Sequence, residues 1–425
     1  MLEILLLIFY FALFTILLGW QLKRTNSVPP TINLPKYWWF AALWLHLLGA
    51  LSYGLIHWYF LNKADTFQYF IEGKRIFSLL ETHPSGFWRM LLGPNAQTTS
   101  DPVLNQLLPE ISSWSDARSY MMVRLVAAFY FFAGGSYIVM GLFWGAISFW
   151  ALRLFYHIFA LYTQYKLFFV TLFLSPSIAF WGAGLHKDAL TIASICCIVS
   201  GCHLLFFKSH YPKTKAIILL LIGCIGQWLI RNYVLPFVLL PCLLMVFTIK
   251  WPQKQTIIFV LVYGFGFALL LLTANSQHPL ALKIWKELRF LQWYFVVYNH
   301  GNADIAVNLM QQNPLQLLGN SFAALLNAGL RPLWNDIKNP FALIAFFETV
   351  LLLAIGIYRG IAGNYAPLKN LGLLSLFFVV SYLWFIGLIN DNIGTTIRYK
   401  VVVMPFLVAL LWWAPPNLSG LNETK

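Results

Sequence analysis

Residues 370–389 read NLGLLSLFFVVSYLWFIGLI, twenty consecutive positions without a charged side chain. A hydrocarbon core about 30 Å thick needs about 20 apolar residues of α-helix to cross it. This stretch therefore predicts a transmembrane helix.

The composition of the whole chain matches that stretch. Of the 425 residues, 60% are hydrophobic and only 10% are charged, and the mean hydropathy is +0.71. A water-soluble protein carries about 25% charged residues, enough to cover its surface. The composition therefore excludes a soluble fold and indicates a protein whose surroundings are lipid.

About eleven segments are long and apolar enough to span. We predict an all-α, polytopic transmembrane helix bundle in which residues 1–425 form a single integral membrane domain. Two long outer loops, 62–135 and 274–340, contain amphipathic stretches at Glu72–Leu80 and Leu282–Val297, which predict helices lying in the membrane interface. The predicted spans are 2–20, 38–61, 136–158, 166–184, 189–207, 215–230, 233–249, 256–273, 341–358, 370–389 and 401–413.

The distribution of charge predicts the orientation, because Lys and Arg accumulate in cytoplasmic loops. Glu3 precedes the first span and Lys23 and Arg24 follow it, the reverse of a signal peptide, so we predict a retained span with its N-terminus outside. The C-terminus is then cytoplasmic. The predicted inner loops hold Lys23, Arg24, Lys36, Arg153, Lys166, Lys208, Lys213, Lys215, Lys250, Lys254, Arg359, Lys369 and Lys425, with Glu423 as their one acid. Most acids, including Asp304, fall outside.

The net charge of +14 is thus mainly an orientation signal. Its basic residues are scattered singly between apolar runs, so we predict no nucleic-acid partner. The five cysteines all lie in apolar runs without metal-ligand spacing to a histidine, which predicts neither disulfides nor a zinc site.

The first polar cluster, residues 63–73, directly follows the second span and includes Ala64-Asp65-Thr66-Phe67-Gln68-Tyr69. If this segment is helical, Asp65, Tyr69 and Glu72 share one face. A carboxylate at the membrane surface could act as a general base toward an acceptor hydroxyl. The alternative is an ordinary acid in a solvated loop.

The second cluster is Ser175–Asp188, in which Pro176 and two glycines interrupt the fourth span. A broken span is tolerated where neighbours or a polar cavity satisfy the freed backbone. Lys187 offers donors to a phosphate, and Asp188 stands at a helix N-terminus. The alternative is a simple hairpin with a capping Asp and an interfacial Lys.

The remaining clusters contribute arginines. Arg231 and Arg331 could each bind a phosphate through two hydrogen bonds, but Arg231 could instead anchor a hairpin and Arg331 could extend to the interface. Arg398 and Tyr399 stand in Asn390–Lys400, beside a glycine and two threonines that suggest an anion-binding entry to the last span.

Glu348 lies within the predicted ninth span, where an isolated carboxylate is costly. We expect it to be protonated or to pair with a polar neighbour such as Gln227 or His57. A structural hydrogen bond is favoured over a proton relay.

Three of these motifs, taken together, resemble bacterial membrane glycosyltransferases of the GT-C fold, the polyprenyl-phosphate-sugar-dependent enzymes related to protein mannosyltransferases. The motifs are the Asp65–Tyr69 segment, the Ser175–Asp188 segment, and the late Gly394–Pro405 segment with its Arg and Tyr. The resemblance spans roughly 38–413. It implies that an acid of the first outer loop, here Asp65, is the catalytic base. The chain departs from the family pattern in its extra first span and in lacking the family's Asp-Glu pair.

The resemblance implies transfer of a sugar from a polyprenyl-phosphate carrier to a glycan or protein acceptor on the outer face of the bacterial cytoplasmic (inner) membrane, in cell-envelope polysaccharide synthesis. Lys187, Arg231 or Arg398 would stabilise the departing lipid phosphate. The other predicted substrate-binding residues are Tyr69, Glu72, Asp188, Arg331 and Tyr399. No resident cofactor or metal ligand is predicted, and a divalent metal stays open.

Two alternatives remain. A lipid-linked polysaccharide polymerase or ligase would depend on outer arginines, with no single essential carboxylate. A transporter or flippase of polyprenyl-linked glycans would show repeated halves and charges near the midplane, whereas the sequence places only Glu348 deep in a span.

Overall fold

A computed structural model describes residues 1–24, 34–60, 64–95, 100–208, 211–274, 276–298, 305, 309–310, 313–363 and 365–415. Within this part of the chain the regular secondary structure is helical, and β-bridges occur only at the isolated positions Thr163, Asn392 and Trp413. The all-α prediction is confirmed. The α-helices are α1 Leu2–Arg24, α2 Lys36–Phe60, α3 Asp65–Thr82, α4 Pro84–Leu92, α5 Pro102–Leu107, α6 Ala117–Phe129, α7 Tyr137–Phe159, α8 Tyr165–Leu174, α9 Pro176–Phe180, α10 Lys187–Phe207, α11 Lys213–Arg231, α12 Leu235–Phe247, α13 Gln255–Thr273, α14 Pro279–Trp293, α15 Pro314–Leu330, α16 Pro340–Ile361, α17 Leu371–Ile389, α18 Ile393–Lys400 and α19 Met404–Leu411.

The described chain contains eight helices that are long and apolar enough to cross a membrane, or nine if the bent pair α18 and α19 is one span. It is therefore a membrane protein by composition and by helix length, but the count of eleven is not confirmed. The predicted fourth span is broken, since α8 has only 10 residues and ends before Pro176, whose ring removes a backbone donor. The predicted sixth and seventh spans form one run, Lys213–Lys250.

The chain divides into two compact units. The first comprises Met1–His157 and Ile178–Leu235, and the second comprises Ile158–Ser177 and Pro236–Lys425. A single integral membrane domain over residues 1–425 stays a prediction.

In the first unit, α7 and α10 form the interior. In the apolar 18-residue stretch of each span, 78% and 72% of the residues, respectively, are buried. Helix α10 packs along α11, and α3 packs on α6. Gly49 of α2 faces the backbone carbonyl of Ala179, where a Cβ atom would collide. This close approach is possible because glycine has no side chain. By contrast, α1 is only 17% buried, as expected for a helix that faces lipid.

In the second unit, α17 is the central helix and packs on α15 and α19. Gly387 of α17 faces the carbonyl of Ala324 on α15, again at a distance that leaves no room for a Cβ atom. Helices α13 and α16 lie at the periphery, because only 6% and 17% of the residues in their apolar 18-residue stretches are buried. Their exposed faces are aliphatic and aromatic, which suits contact with lipid chains.

The two long segments between spans are helical where the sequence predicts amphipathic helices. Helix α3 covers Glu72–Leu80, and α14 with the π-helical turn Tyr294–Tyr298 covers Leu282–Val297. Their placement in the membrane interface stays a prediction. Asp304, Glu423 and Lys425, which entered the orientation argument, lie outside the described residues.

Candidate functional site

The first turns of α3 carry the three residues that the sequence predicts on one helical face. Asp65 begins the helix and its side chain is exposed. Tyr69 and Glu72 follow one and two turns later, and each is only 3% exposed. The positive end of the helix dipole favours a carboxylate at this position. Asp65 is thus the exposed carboxylate of this face, whereas Glu72 is buried.

Glu72 is held by a set of hydrogen bonds that the sequence did not reveal. Its Oε1 atom accepts from the Gln68 amide at 3.1 Å and from the Ser112 hydroxyl at 2.8 Å. The backbone N–H of Ser113 lies 3.3 Å from each carboxylate oxygen. Glu72 therefore ties α3 to the 3-10 turn Ser112–Ser115.

A cleft of about 330 Å³ opens beside Glu72. At its edge, the Arg75 guanidinium lies 3.3 Å from the Glu110 carboxylate, and both side chains are largely exposed. The cleft is lined by Ala64, Phe67, Gln68, Ile71, Glu72, Arg75, Glu110 and Ser112.

Lys187 is the point at which three helices of the first unit meet. Its ammonium donates to the Ser119 hydroxyl of α6 at 2.8 Å and lies 3.8 Å from the Asp116 carboxylate. It also lies 5.5 Å from the centre of the Tyr69 ring on α3, within the range of a cation–π contact. Asp65 acts on this ammonium only as the weakest of several charges. The structure thus brings Lys187 to Tyr69, one turn along α3 from Asp65.

Asp116 belongs to this cluster although the sequence did not single it out as a site residue. It caps α6, accepting from the backbone N–H groups of Arg118 and Ser119 and, at 2.7 Å, from the Ser119 hydroxyl. Partial burial acts to raise its pKa, but the Ser119 hydrogen bond and the charges of Arg118 and Lys187 outweigh burial and lower the pKa to about 2. The available signal was an Asp before a helical stretch, the usual N-cap residue.

Asp188 and Arg231 form a buried ion pair between the beginning of α10 and the end of α11. The distance from Arg231 Nη1 to Asp188 Oδ1 is 2.7 Å, and the two side chains are 4% and 0% exposed. His186, which the sequence argument overlooked, lies 2.8 Å from the other Asp188 oxygen. A guanidinium already paired and buried in this way favours the anchoring role of Arg231 over phosphate binding.

The other predicted site residues belong to the second unit. Arg331 donates to Asp336 at 2.7 Å and to the Asn327 amide oxygen at 3.1 Å. Tyr399 is buried and packs edge-to-face with Phe295. Arg398 is half-buried one position before Tyr399 on α18.

Glu348 has polar partners, as the sequence predicts, but they are not the residues that were expected. Its two oxygens accept hydrogen bonds from Ser175, at 2.5 Å, and from Ser177. The expected partner Gln227 instead donates to the backbone carbonyl of Arg231. The other, His57, stacks on the ring of Tyr53.

Lys400 is a buried charged residue of the second unit. Its ammonium donates to the Arg331 carbonyl at 2.8 Å and to the Thr349 hydroxyl at 3.0 Å. It also interacts electrostatically with Glu348. Within this unit, a carboxylate therefore lies in a helix predicted to span, and an ammonium directly precedes the predicted last span.

The first unit also contains an apolar groove of about 630 Å³ between α1, α6, α7, α10 and α11. Along α7 its lining runs from Phe143 to Leu154, a length of about 16 Å at 1.5 Å per residue. It reaches Ile230, the neighbour of Arg231, and Leu190, one turn from Lys187. Except for one hydroxyl and one thiol, the lining side chains are apolar, which suits a hydrocarbon chain.

Within the described part of the chain, no group of three or more His, Cys, Asp or Glu side chains is placed to hold a metal ion. The five cysteines are free thiols.

Comparison with known protein families, with curated proteins and with solved structures gives no match. The function is therefore argued from the arrangement of the residues and from the motif resemblance.

Proposed function

We propose that this protein is a membrane glycosyltransferase that moves a sugar from a polyprenyl-phosphate carrier to an acceptor on the outer, periplasmic face of a bacterial inner membrane. One observation carries the proposal: the Lys187 ammonium contacts Ser119 and the ring of Tyr69, and Tyr69 lies one turn along α3 from the exposed Asp65 carboxylate. In the same unit, an apolar groove approaches Lys187 to within one helical turn.

The two charges suit the two halves of such a transfer. The acceptor oxygen bonds to the anomeric carbon while the bond from that carbon to the phosphate oxygen breaks. Asp65 accepts the proton that the acceptor hydroxyl loses. Lys187 faces the charge that develops on the departing lipid phosphate, the place where electrostatic stabilisation lowers the barrier most.

The groove provides for the lipid part of the donor. An apolar chain buried there would leave its phosphate at the level of Leu190 and Ile230, next to the polar cluster. Asp188 and Arg231 would then act as positioning residues that hold the beginning of α10, and hence Lys187, in place. Tyr69 would support the ammonium through its ring.

The residues of the second unit enter the proposal through the motif resemblance. Arg398 and Tyr399 of α18 belong to the late motif and stay predicted substrate-binding residues. Arg331, whose guanidinium is paired with Asp336, would act by holding its own loop. The donor and acceptor are substrates, and the proposal requires no resident cofactor.

The test of the general base is Asp65→Asn in purified protein reconstituted with lipid-linked donor. We expect transfer to fall by about 10²–10⁴-fold, the usual contribution of a positioned base. Glu81→Gln is the matched control, because Glu81 is an exposed carboxylate on the same helix. If Asp65→Asn retains transfer, Asp65 is not the general base. If Asp65→Asn still forms polymer and Arg398→Ala does not, the polymerase or ligase is favoured.

The test of the phosphate role is Lys187→Ala, with Lys74→Ala as control because Lys74 is exposed on α3. We expect weaker use of the donor in the Lys187 variant and an unchanged KM for the acceptor. Equal donor dependence in the two variants would contradict the role of Lys187.

The orientation is testable by itself. Reporter fusions at Lys213 and at Asn95 should report the cytoplasmic and the outer side, respectively. The opposite pattern would place the Asp65 cluster on the cytoplasmic side, where nucleotide sugars are available, and would remove the reason for a lipid-linked donor.

A transporter of lipid-linked glycans is a second candidate, favoured by one specific arrangement. Helices α18 and α19 are bent by 61° at a short break, and Lys400 at that break interacts with Glu348. Broken helices with buried charges are typical of transporter binding sites. Movement of a fluorescent lipid-linked glycan across proteoliposomes, lost in Glu348→Gln and kept in Asp65→Asn, would favour this candidate.

A further inference from the structure

The cleft beside Glu72 is a polar cavity of the first unit that the proposed chemistry does not yet use. We infer that it is the subsite for the acceptor, and that it binds a saccharide through its hydroxyl groups. This inference rests on the proposed function, because it assigns the second substrate of the same transfer.

The donors and acceptors around the cleft suit a polyhydroxylated ligand. Glu72 supplies carboxylate oxygens, Gln68 an amide, Ser112 a hydroxyl and Arg75 a guanidinium. A sugar hydroxyl both donates and accepts, so neighbouring hydroxyls can use a carboxylate and an amide or guanidinium at once. Phe67 and Ile71 add apolar surface for the carbon-bearing face of the ring.

The carboxylate retains capacity for such a ligand. Glu72 Oε1 accepts the two shorter side-chain bonds, whereas Oε2 accepts from the Ser113 backbone N–H at 3.3 Å. A carboxylate oxygen has two lone pairs. The buried Glu72 therefore combines a fixed orientation with an oxygen that can accept from a hydroxyl in the cleft.

The location of the cleft is suited to an acceptor. Ala64 lines it, and the next residue is Asp65, the proposed base. A saccharide bound against Glu72 would thus have its neighbouring hydroxyls near the carboxylate that must deprotonate one of them. At about 330 Å³ the cleft is at the small end of ligand pockets, which fits one terminal sugar of a glycan better than a lipid chain.

The experiment measures saccharide binding without transfer. Full-length protein in nanodiscs is titrated with soluble glucose, galactose, mannose, N-acetylglucosamine and their disaccharides, and binding is followed by saturation-transfer NMR. We expect at least one probe to bind wild type, with about tenfold weaker binding in Glu72→Gln, the effect of losing a hydrogen bond to a charged group. The control Glu81→Gln should bind as wild type does.

A second variant guards against misfolding of Glu72→Gln. Ile71 is 49% exposed and lines the cleft, so Ile71→Trp should fill it without removing a hydrogen bond and should also abolish binding. Unchanged binding in both variants, or no binding of any probe to wild type, would overturn the inference.

The outcome separates this inference from the proposed function. Saccharide binding that depends on Glu72, in a protein without lipid-linked transfer, would sustain the subsite and refute the transferase. Transfer that depends on Asp65, with an acceptor KM unchanged in Ile71→Trp, would sustain the transferase and refute the subsite.

Discussion

Replacing Arg231 by Met tests whether the buried pair with Asp188 is a structural anchor. The change removes the guanidinium and keeps much of the side-chain volume. Asp188 is then left fully buried, with His186 as the polar neighbour still facing it at 2.8 Å. The backbone carbonyl of Arg231, which accepts from Gln227, is not altered by the change.

The distance sets the expected size of the effect. Two unit charges 2.7 Å apart attract by about 6 kcal/mol at an effective dielectric constant of about 20. Part of this attraction offsets the cost of burying the charges, and removing one partner of a buried pair typically destabilises by about 3–5 kcal/mol. We expect Arg231→Met to lower the free energy of unfolding by that amount.

The double variant Asp188→Asn with Arg231→Met should be less destabilised than the sum of the single variants, because it leaves no buried charge behind. Arg118→Met is the matched control. Its guanidinium pairs with Asp116 at 3.1 Å, but both side chains are 40% exposed, so the expected loss is at most about 1 kcal/mol.

The assay is denaturant-induced unfolding of each variant in the same detergent, followed by circular dichroism. Stability of Arg231→Met within 1 kcal/mol of wild type, or strict additivity in the double variant, would refute the anchoring role. If such a stable variant also used the lipid-linked donor poorly, Arg231 would be a phosphate ligand after all.

Three further predictions concern single contacts. Because folding lowers the pKa of Asp116 from 3.8 to about 2, its contribution to stability is present above pH 4 and is lost as the pH falls from about 4 to 2; thermal unfolding across that range should be less acid-sensitive in Asp116→Asn. Gly387→Ala should destabilise by about 1–3 kcal/mol, because its Cβ would meet the backbone of α15, whereas Gly266→Ala, with open space around it, should leave the unfolding midpoint unchanged or slightly raised. Ser175→Ala should cost about 1.5–3 kcal/mol through the lost hydrogen bond to Glu348, and Ser175→Thr should restore most of it; equal melting of the two variants would contradict that bond.

The spans show how far hydropathy carries a prediction. Seven predicted spans coincide with long apolar helices of the structure, because length and hydropathy are properties of a continuous stretch. The span count did not follow in the same way. Whether the chain breaks before Pro176 or continues past Arg231 depends on which neighbours satisfy the backbone there.

The candidate site was also predictable only in part. The shared face of Asp65, Tyr69 and Glu72 follows from helical periodicity and was predictable. That Asp65 is exposed while Glu72 is buried was not, because burial depends on the 3-10 turn forty residues further along the chain. The partner serines of Glu348 are likewise distant in sequence.

The sequence by itself determined that this is a helical membrane protein, because many stretches of about 20 residues prefer lipid to water. It also identified ionisable residues at the ends of spans as candidates for a functional site, because placing such residues in a membrane costs free energy. Only the tertiary structure decided which of them act together: Lys187 meets Asp116, Ser119 and Tyr69, and Arg231 is neutralised by Asp188. The physical reason is that these charged side chains contact partners on other helices. The distance between two such side chains depends on how the helices pack, and the spacing of residues along the chain does not determine it.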